Sequence, residues 1–190
     1  MNTAGQSPSA GETARGSQEE LITPGGVALI VLDHLGPDTV RQVVTFTENE
    51  EGEGVGVMVR LRDRTPHNFS VSVYPPEQAQ EFGPAGECPP SPERKGEASQ
   101  CRVLDDGTTV MTSEIAEGFS DDNADGSLLW GSVITPDAGA AMAMYESYDD
   151  SPAITVAELE DMLSDPRLTW LTDPEVNESG ETVDLKVITG

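Results

Sequence analysis

The chain has 190 residues and a formal net charge of -25 at pH 7, from 35 acidic and 10 basic side chains. This acidity argues against unaided binding to nucleic acid or to an anionic membrane, because both need Lys and Arg to neutralise phosphate. The partner is expected to be neutral, basic or metallic, unless the acidity serves only solubility or adaptation to salt.

The length fits one domain with flexible ends, because a chain of this size rarely divides into two separate cores. Residues 1–20 are rich in Ser, Gly, Ala, Gln and Glu and show no apolar periodicity, which predicts a disordered tether. A single α+β domain is expected over residues 21–172, followed by an acidic tail over residues 173–190. Within that tail, apolar and polar residues alternate over residues 182–188 well enough to form one edge strand.

The first predicted element is a short buried helix. Thr23-Pro24 resembles an N-cap followed by Pro at the first helical position, residues 27–35 are largely apolar, and Gly36-Pro37 resembles a stop. A buried strand is the competing interpretation, because residues 27–32 contain no polar interruption.

Three β-rich runs follow, at residues 40–47, 55–62 and 69–74. The first two flank an acidic, Gly-containing loop and are predicted to form a hairpin. Pro75-Pro76 ends the third run, since proline cannot continue a strand inside a sheet.

The next segment, residues 77–100, contains Pro, Gly and charges throughout and is predicted to be a long loop, either anchored and functional or mobile. Cys88 and Cys101 bracket its Pro-rich part, residues 89–100, which is predicted to form neither helix nor strand. A disulfide between the two cysteines is expected, and it would indicate an oxidising compartment. Two unpaired thiols are the alternative, because the sequence does not give the distance between the Cα atoms.

Residues 101–148 are predicted to form two hairpins in series, joined by an acidic loop. The first turns at Asp105-Asp106-Gly107 and the second at Pro136-Asp137-Ala138-Gly139, both with residues that suit tight turns. The large apolar side chains of these strands are expected to share one buried face of the sheet. They are Trp130, Val133, Met142, Met144 and Tyr145.

The acidic loop between the hairpins resembles the first half of an EF-hand calcium loop. Asp121, Asn123 and Asp125 supply oxygen ligands at alternate positions, and Gly126 allows the sharp turn. The position where a bidentate Glu is needed is Ser132. At most a weak calcium site is therefore predicted, with a plain acidic linker as the alternative; no other cofactor is expected.

The last predicted helix covers residues 155–163. Thr155 and Glu158 have the spacing of a capping box, and Asp165-Pro166 stops the helix. The elements together predict an α+β fold in which a largely antiparallel sheet of about six or seven strands, built from hairpins, is covered by two short helices.

Two motifs resemble uncharacterised exported proteins of actinobacteria, many of them lipoprotein-like. The first is the closing segment Pro152-Ala153-Ile154-Thr155, Leu159, Met162-Leu163, Asp165-Pro166-Arg167-Leu168 and Trp170. The second is Cys101 before Leu104-Asp105-Asp106-Gly107-Thr108. The resemblance covers about residues 55–170 and implies an extracellular or cell-envelope location, but no activity. The cytoplasm is the alternative, because the chain as given shows no export signal or lipidation cysteine after Met1.

Catalysis is not expected from the motifs. The chain has two histidines, His34 and His67, in ordinary structural positions, and it shows neither a nucleophile elbow nor a phosphate-binding loop. The cysteines and these distant histidines also lack the paired spacing of zinc ligands. No segment approaches the ~20 apolar residues that span a bilayer, so direct membrane insertion is not expected.

The sequence therefore predicts a non-catalytic, exported or envelope-associated binding module. An acidic inhibitor or immunity-like protein that binds a basic partner is the first alternative. A small hydrolase is the second alternative. Paired carboxylates could catalyse glycoside hydrolysis, but among 35 acidic residues such a pair is expected by chance alone.

Overall fold

The computed structural model describes residues 19–46, 54–62, 68–90, 97–116, 126–147 and 153–187. Within these ranges the chain forms a sheet of eight strands, a second sheet of two strands, and four helices, which confirms the α+β class. The strands are β1 (Glu20–Leu21), β2 (Val40–Phe46), β3 (Val55–Leu61), β4 (Asn68–Tyr74), β5 (Glu97–Val103), β6 (Thr109–Ala116), β7 (Ser127–Thr135), β8 (Gly139–Ser147), β9 (Leu171–Thr172) and β10 (Leu185–Val187). The helices are α1 (Pro24–Leu35), α2 (Pro76–Phe82), α3 (Val156–Leu163) and α4 (Pro174–Gly180).

The large sheet has the strand order β10-β2-β3-β4-β8-β7-β6-β5. All neighbours in it are antiparallel except β10 and β2, which pair in parallel. The sheet is therefore mixed, and it has more strands than the six or seven that the sequence predicts. The first strand of the first predicted hairpin, β5, begins earlier than expected, at Glu97, inside the segment that is predicted to be a loop.

Both predicted helices are present, and their ends explain why. Thr23 caps α1 by accepting a hydrogen bond at Oγ1 from the backbone N–H of Gly26 (3.1 Å). This start, with Pro24 in the first turn, favours the helix over the competing strand. Thr155 and Glu158 form the predicted capping box at α3, and their hydrogen bonds hold the pKa of Glu158 below its usual value.

Two further helices lie where the sequence predicts none. α2 follows Pro75, and α4 begins after Asp173, whose side chain accepts a hydrogen bond from the backbone N–H of Glu175 (3.0 Å). Prolines at these helix starts fix a helical φ without losing a bond, because the first N–H groups of a helix have no partner within it. Proline in both segments therefore marks a helix start rather than a loop.

The acidic C-terminal segment packs onto the domain through α4 and β10. The backbones of α1 and α4 lie so close that a Cβ atom on Gly25 would come within 2.7 Å of the carbonyl oxygen of Gly180. Asn177 of α4 also binds the chain just before α1. Its Oδ1 accepts a hydrogen bond from the N–H of Thr23 (2.9 Å), and its Nδ2 donates to the carbonyl of Leu21 (2.9 Å).

The main core lies between one face of the large sheet and the helices α1 and α3. Alternate residues of the central strands point into it, as the period of two in a strand requires. The buried residues that these strands contribute are Val57, Val59, Leu61, Phe69, Val71, Val73, Leu129, Val133, Ala141, Ala143 and Tyr145.

The prediction that the large apolar side chains of the two hairpins share one buried face of the sheet is wrong. In the register of β7 and β8, Trp130 lies opposite Met144, whereas Leu129 lies opposite Tyr145. Val133 and Tyr145 therefore point into the main core, while Trp130, Met142 and Met144 point to the opposite face. Large apolar residues occupy both odd and even positions of these strands, so they cannot share one face.

No helix in the described part of the chain is long and apolar enough to cross a bilayer. The longest of them, α1, has 12 residues.

Candidate binding groove

The face of the large sheet that points away from α1 and α3 is only partly covered. Here α2 packs on the sheet and forms a small second core with Met111, Ile134 and Ala140. Next to Phe82, the last residue of α2, the face opens into a groove of about 350 Å³. We call this hollow the groove.

The groove has an apolar floor and a polar side. Its lining residues are Phe82, Pro89, Glu97, Ser99, Gln100, Cys101, Met111, Thr112, Ser113, Ile115, Leu128 and Trp130. An apolar concave surface with a few fixed polar groups is typical of binding sites, because the apolar part supplies affinity and the polar groups fix orientation.

The polar side of the groove is held by three side chains of β5 and β6. Ser99 and Ser113 are cross-strand partners, and Glu97 lies two residues before Ser99 on the same side of the strand. Glu97 Oε1 lies 2.7 Å from Ser99 Oγ and 2.8 Å from Ser113 Oγ, and both hydroxyls donate to it. Ser113 is in turn the cross-strand partner of Trp130, so the polar side adjoins the aromatic floor.

A hollow of similar volume, about 380 Å³, lies around β9. Charged side chains line it, among them Glu19, Arg167 and Asp173. The lining of the groove contains one charged residue, Glu97, whereas the lining of this hollow contains four, and we therefore take the groove as the candidate site.

The predicted disulfide is confirmed. Cys88 and Cys101 are bonded, with their Cα atoms 5.8 Å apart, and both residues are exposed. Cys101 belongs to β5, so the prediction that residues 89–100 contain no strand is wrong from Glu97 onward. The backbone N–H of Gly86 also donates to Thr109 Oγ1 (2.8 Å), so the segment before the disulfide is fixed beside the groove at two points.

Replacing both Cys88 and Cys101 by Ser should lower the free energy of unfolding by about 2 to 3 kcal/mol, because a cross-link of this loop length restricts the unfolded chain. Urea denaturation of the variant and of the oxidised parent measures the difference. Thiol titration of the unfolded, unreduced parent is the control. Two titratable thiols in the parent would contradict the bond.

The predicted calcium ligands Asp121, Asn123 and Asp125 lie outside the described residues, as does His67. In the ranges that the structure does describe, no group of three or more His, Cys, Asp or Glu side chains could hold a metal ion. The weak calcium site stays a prediction.

His34 belongs to a network that ties α1 to the end of α3. Its Nε2 lies 3.0 Å from Asp165 Oδ2 and its Nδ1 lies 3.3 Å from Asp161 Oδ2. Arg167 donates to Asp165 from its backbone N–H and from its guanidinium, and it also donates to Asp33 on α1 (2.9 Å). This arrangement supports a structural role for His34, as its position in the sequence predicts.

The same contacts fix the charge of Asp165. Its burial alone would raise the pKa of its carboxyl, but the hydrogen bonds from Arg167 and His34 and the charge of Arg167 lower that pKa well below the usual range. Hydrogen bonds to Asp165 and Asp33 raise the pKa of Arg167 in turn. Asp165 is therefore an anion at neutral pH.

The residues of the groove are those that sequence reasoning missed. The run Glu97-Ala98-Ser99-Gln100-Cys101-Arg102-Val103 has neither Pro nor Gly, and this could have indicated a strand. The Pro-rich residues just before it suggested a loop instead. Only the pairing with β6 brings Glu97 and Ser99 next to Ser113.

No protein-family model matches the chain, and no curated protein matches its sequence. A functional proposal for this chain therefore depends on the groove and on the charge of the molecule.

Proposed function

We propose that the protein is a non-catalytic binding module that accepts an apolar group of its ligand in the groove. The observation that carries this proposal is the groove itself, a hollow of about 350 Å³ with an aromatic floor on the sheet face that α1 and α3 leave uncovered. A binding site needs apolar surface that the fold has not already buried in its core.

The exposed disulfide supports an exported or envelope-associated location for this module, because disulfides persist mainly in oxidising compartments. The disulfide also supports binding because it makes one wall of the groove rigid. Cys101 lines the groove, and its bond to Cys88 holds that wall in place before a ligand arrives. A preformed wall reduces the entropy that is lost on binding.

An acidic inhibitor of a basic partner is the second candidate function. The net charge of -25 favours it, because long-range attraction speeds association with a positively charged surface. Both functions use a partner that is neutral or basic, and both would use the same groove.

The neutral fluorescent probe N-phenylnaphthylamine tests the groove. A Trp170→Phe background leaves Trp130 as the single tryptophan of the chain, which contains two. We expect the probe to quench the emission of Trp130 with a dissociation constant in the micromolar range, about 8 kcal/mol of binding free energy. Trp130 lies on the floor of the groove, so the quenching reports binding at that place.

A pair of matched variants completes the test. Ser113→Leu fills the groove beside Trp130 and should weaken probe binding by about tenfold or more, through lost volume for the probe. Ser70→Leu makes the same substitution on the same sheet face, away from the groove lining, and should bind as the parent does. Equal probe binding by folded Ser113→Leu and the parent would rule out the groove as the site.

A further inference from the structure

β5 is the outer strand at one end of the large sheet. It has seven residues, and in the described part of the chain it pairs only with β6. Its residues from Gln100 to the end are exposed, and Val103 is 42% exposed. The opposite edge strand, β10, has only three residues, so β5 offers the longer open edge.

The hairpin geometry shows which backbone groups of β5 point outward. The N–H of Leu104 donates to the carbonyl of Thr108 (2.8 Å), and from that pair the ladder alternates between bonded and non-bonded pairs. Val103, Cys101 and Ser99 fall on the non-bonded positions, where the N–H and C=O groups face away from β6. No hydrogen bond among the described residues uses these outward groups.

The open edge and the groove are continuous. Ser99 and Cys101 place outward backbone groups on the edge, and their side chains line the groove. A strand added to β5 would therefore bring every second one of its side chains to the rim of the groove. Large apolar side chains at those positions would cover the groove from the β5 side.

The charge around β5 favours a basic added strand. Residues 101–190 carry 20 acidic and 3 basic side chains, against 15 and 7 in residues 1–100. Asp105 and Asp106 lie in the turn that follows β5. The one basic residue of β5, Arg102, forms a salt bridge with Glu160, in which its guanidinium donates to the carboxylate (2.7 Å). A second copy of this chain would bring its own charge of -25 to the same place.

We propose that the outer edge of β5 takes up an extended, basic segment of another protein, which pairs as an added strand and lays large apolar side chains over the groove. This inference rests on the proposed binding function and names its partner. Backbone pairing to a free edge supplies affinity without regard to sequence, and the charge and the groove then select the partner.

The test uses a fluorescein-labelled heptapeptide of alternating residues, Lys-Val-Lys-Phe-Lys-Val-Lys. Fluorescence anisotropy with the oxidised full chain should show saturable binding that weakens as salt is added. Two control peptides separate the contributions. The Glu-for-Lys peptide should bind at least about tenfold more weakly through charge repulsion, and so should a peptide that is N-methylated at every residue, which has no backbone N–H to donate to β5 on either edge.

Two variants at one position make the test specific to the edge. Ser99→Pro removes an outward N–H and places a ring where the added strand would lie, but it breaks no bond to β6. Ser99→Ala also loses the hydroxyl and keeps the N–H. We expect about a tenfold or greater loss of peptide affinity for Ser99→Pro relative to Ser99→Ala, with both variants folded by circular dichroism.

Three results would overturn the inference. The first is that the basic peptide does not bind below about 1 mM. The second is that the N-methylated peptide binds as tightly as the unmethylated one. The third is that the Ser99→Pro variant binds the basic peptide as tightly as Ser99→Ala does. Concentration-dependent dimerisation in analytical ultracentrifugation that Ser99→Pro abolishes would assign the edge to a second copy instead. Binding of the neutral probe in the groove without binding of the peptide would overturn this inference and leave the proposed function intact. Failure of the inference can therefore be distinguished from failure of the proposed function.

Discussion

Replacing Tyr145 by Ala should lower the free energy of unfolding by about 4 to 5 kcal/mol, because it removes a large, fully buried side chain from the main core. Tyr145 is 0% exposed, and its ring lies edge-on to Phe69 with the centroids 6.3 Å apart. Its hydroxyl accepts a hydrogen bond from the backbone N–H of Ala153 (2.9 Å), which fixes the chain just before α3. Urea denaturation followed by circular dichroism measures the loss.

Two further variants separate the contribution of the Tyr145 ring from that of its hydroxyl, and the contribution of the main core from that of the groove face. Tyr145→Phe keeps the ring and loses the hydroxyl, so it should cost only about 1 kcal/mol. Trp130→Ala truncates a half-buried residue on the groove floor, and it should cost about 1 to 2 kcal/mol. It should also reduce binding of the neutral probe, which for this variant is followed by the probe's own emission. A larger loss of stability for Trp130→Ala than for Tyr145→Ala would mean that the groove face contains the main core.

The second large effect is expected at Asp165. Its side chain is 9% exposed and accepts hydrogen bonds from Arg167 while contacting His34. Asp165→Asn removes the charge between these two groups, and it should lower the free energy of unfolding by about 3 to 4 kcal/mol at pH 7. Asp161→Asn is the matched control at 81% exposure, and it should change stability by less than about 0.5 kcal/mol.

The effect of Asp165→Asn should depend on pH in a defined direction. The pKa of Asp165 is lowered in the folded state, whereas an unfolded Asp titrates near about 3.9. Its contribution to stability is therefore complete above about pH 5 and is lost as the pH falls through the folded pKa. The difference between parent and variant should shrink below about pH 4, and a difference that grows as the pH falls further would contradict the network.

The features that the sequence determined by itself are local ones. Asp105-Asp106-Gly107 and the turn at residues 136–139 fix two hairpins, because only certain residues tolerate the backbone angles of tight turns. Thr23 and Thr155 fix the starts of α1 and α3 in the same way, since their side chains satisfy N–H groups a few residues away. The disulfide was also predictable, because only two cysteines are present.

Tertiary structure alone decided the groove and its open edge. The turn predicts only the end of β5, and β5 extends back to Glu97 because β6 offers a partner edge whose backbone groups need hydrogen bonds. The face on which Trp130 and Tyr145 lie depends on strand register, which a residue count along the chain does not fix when both faces carry apolar residues. The docking of α4 on α1 likewise depends on two glycines that are far apart in sequence, and their close approach appears only when the backbones meet.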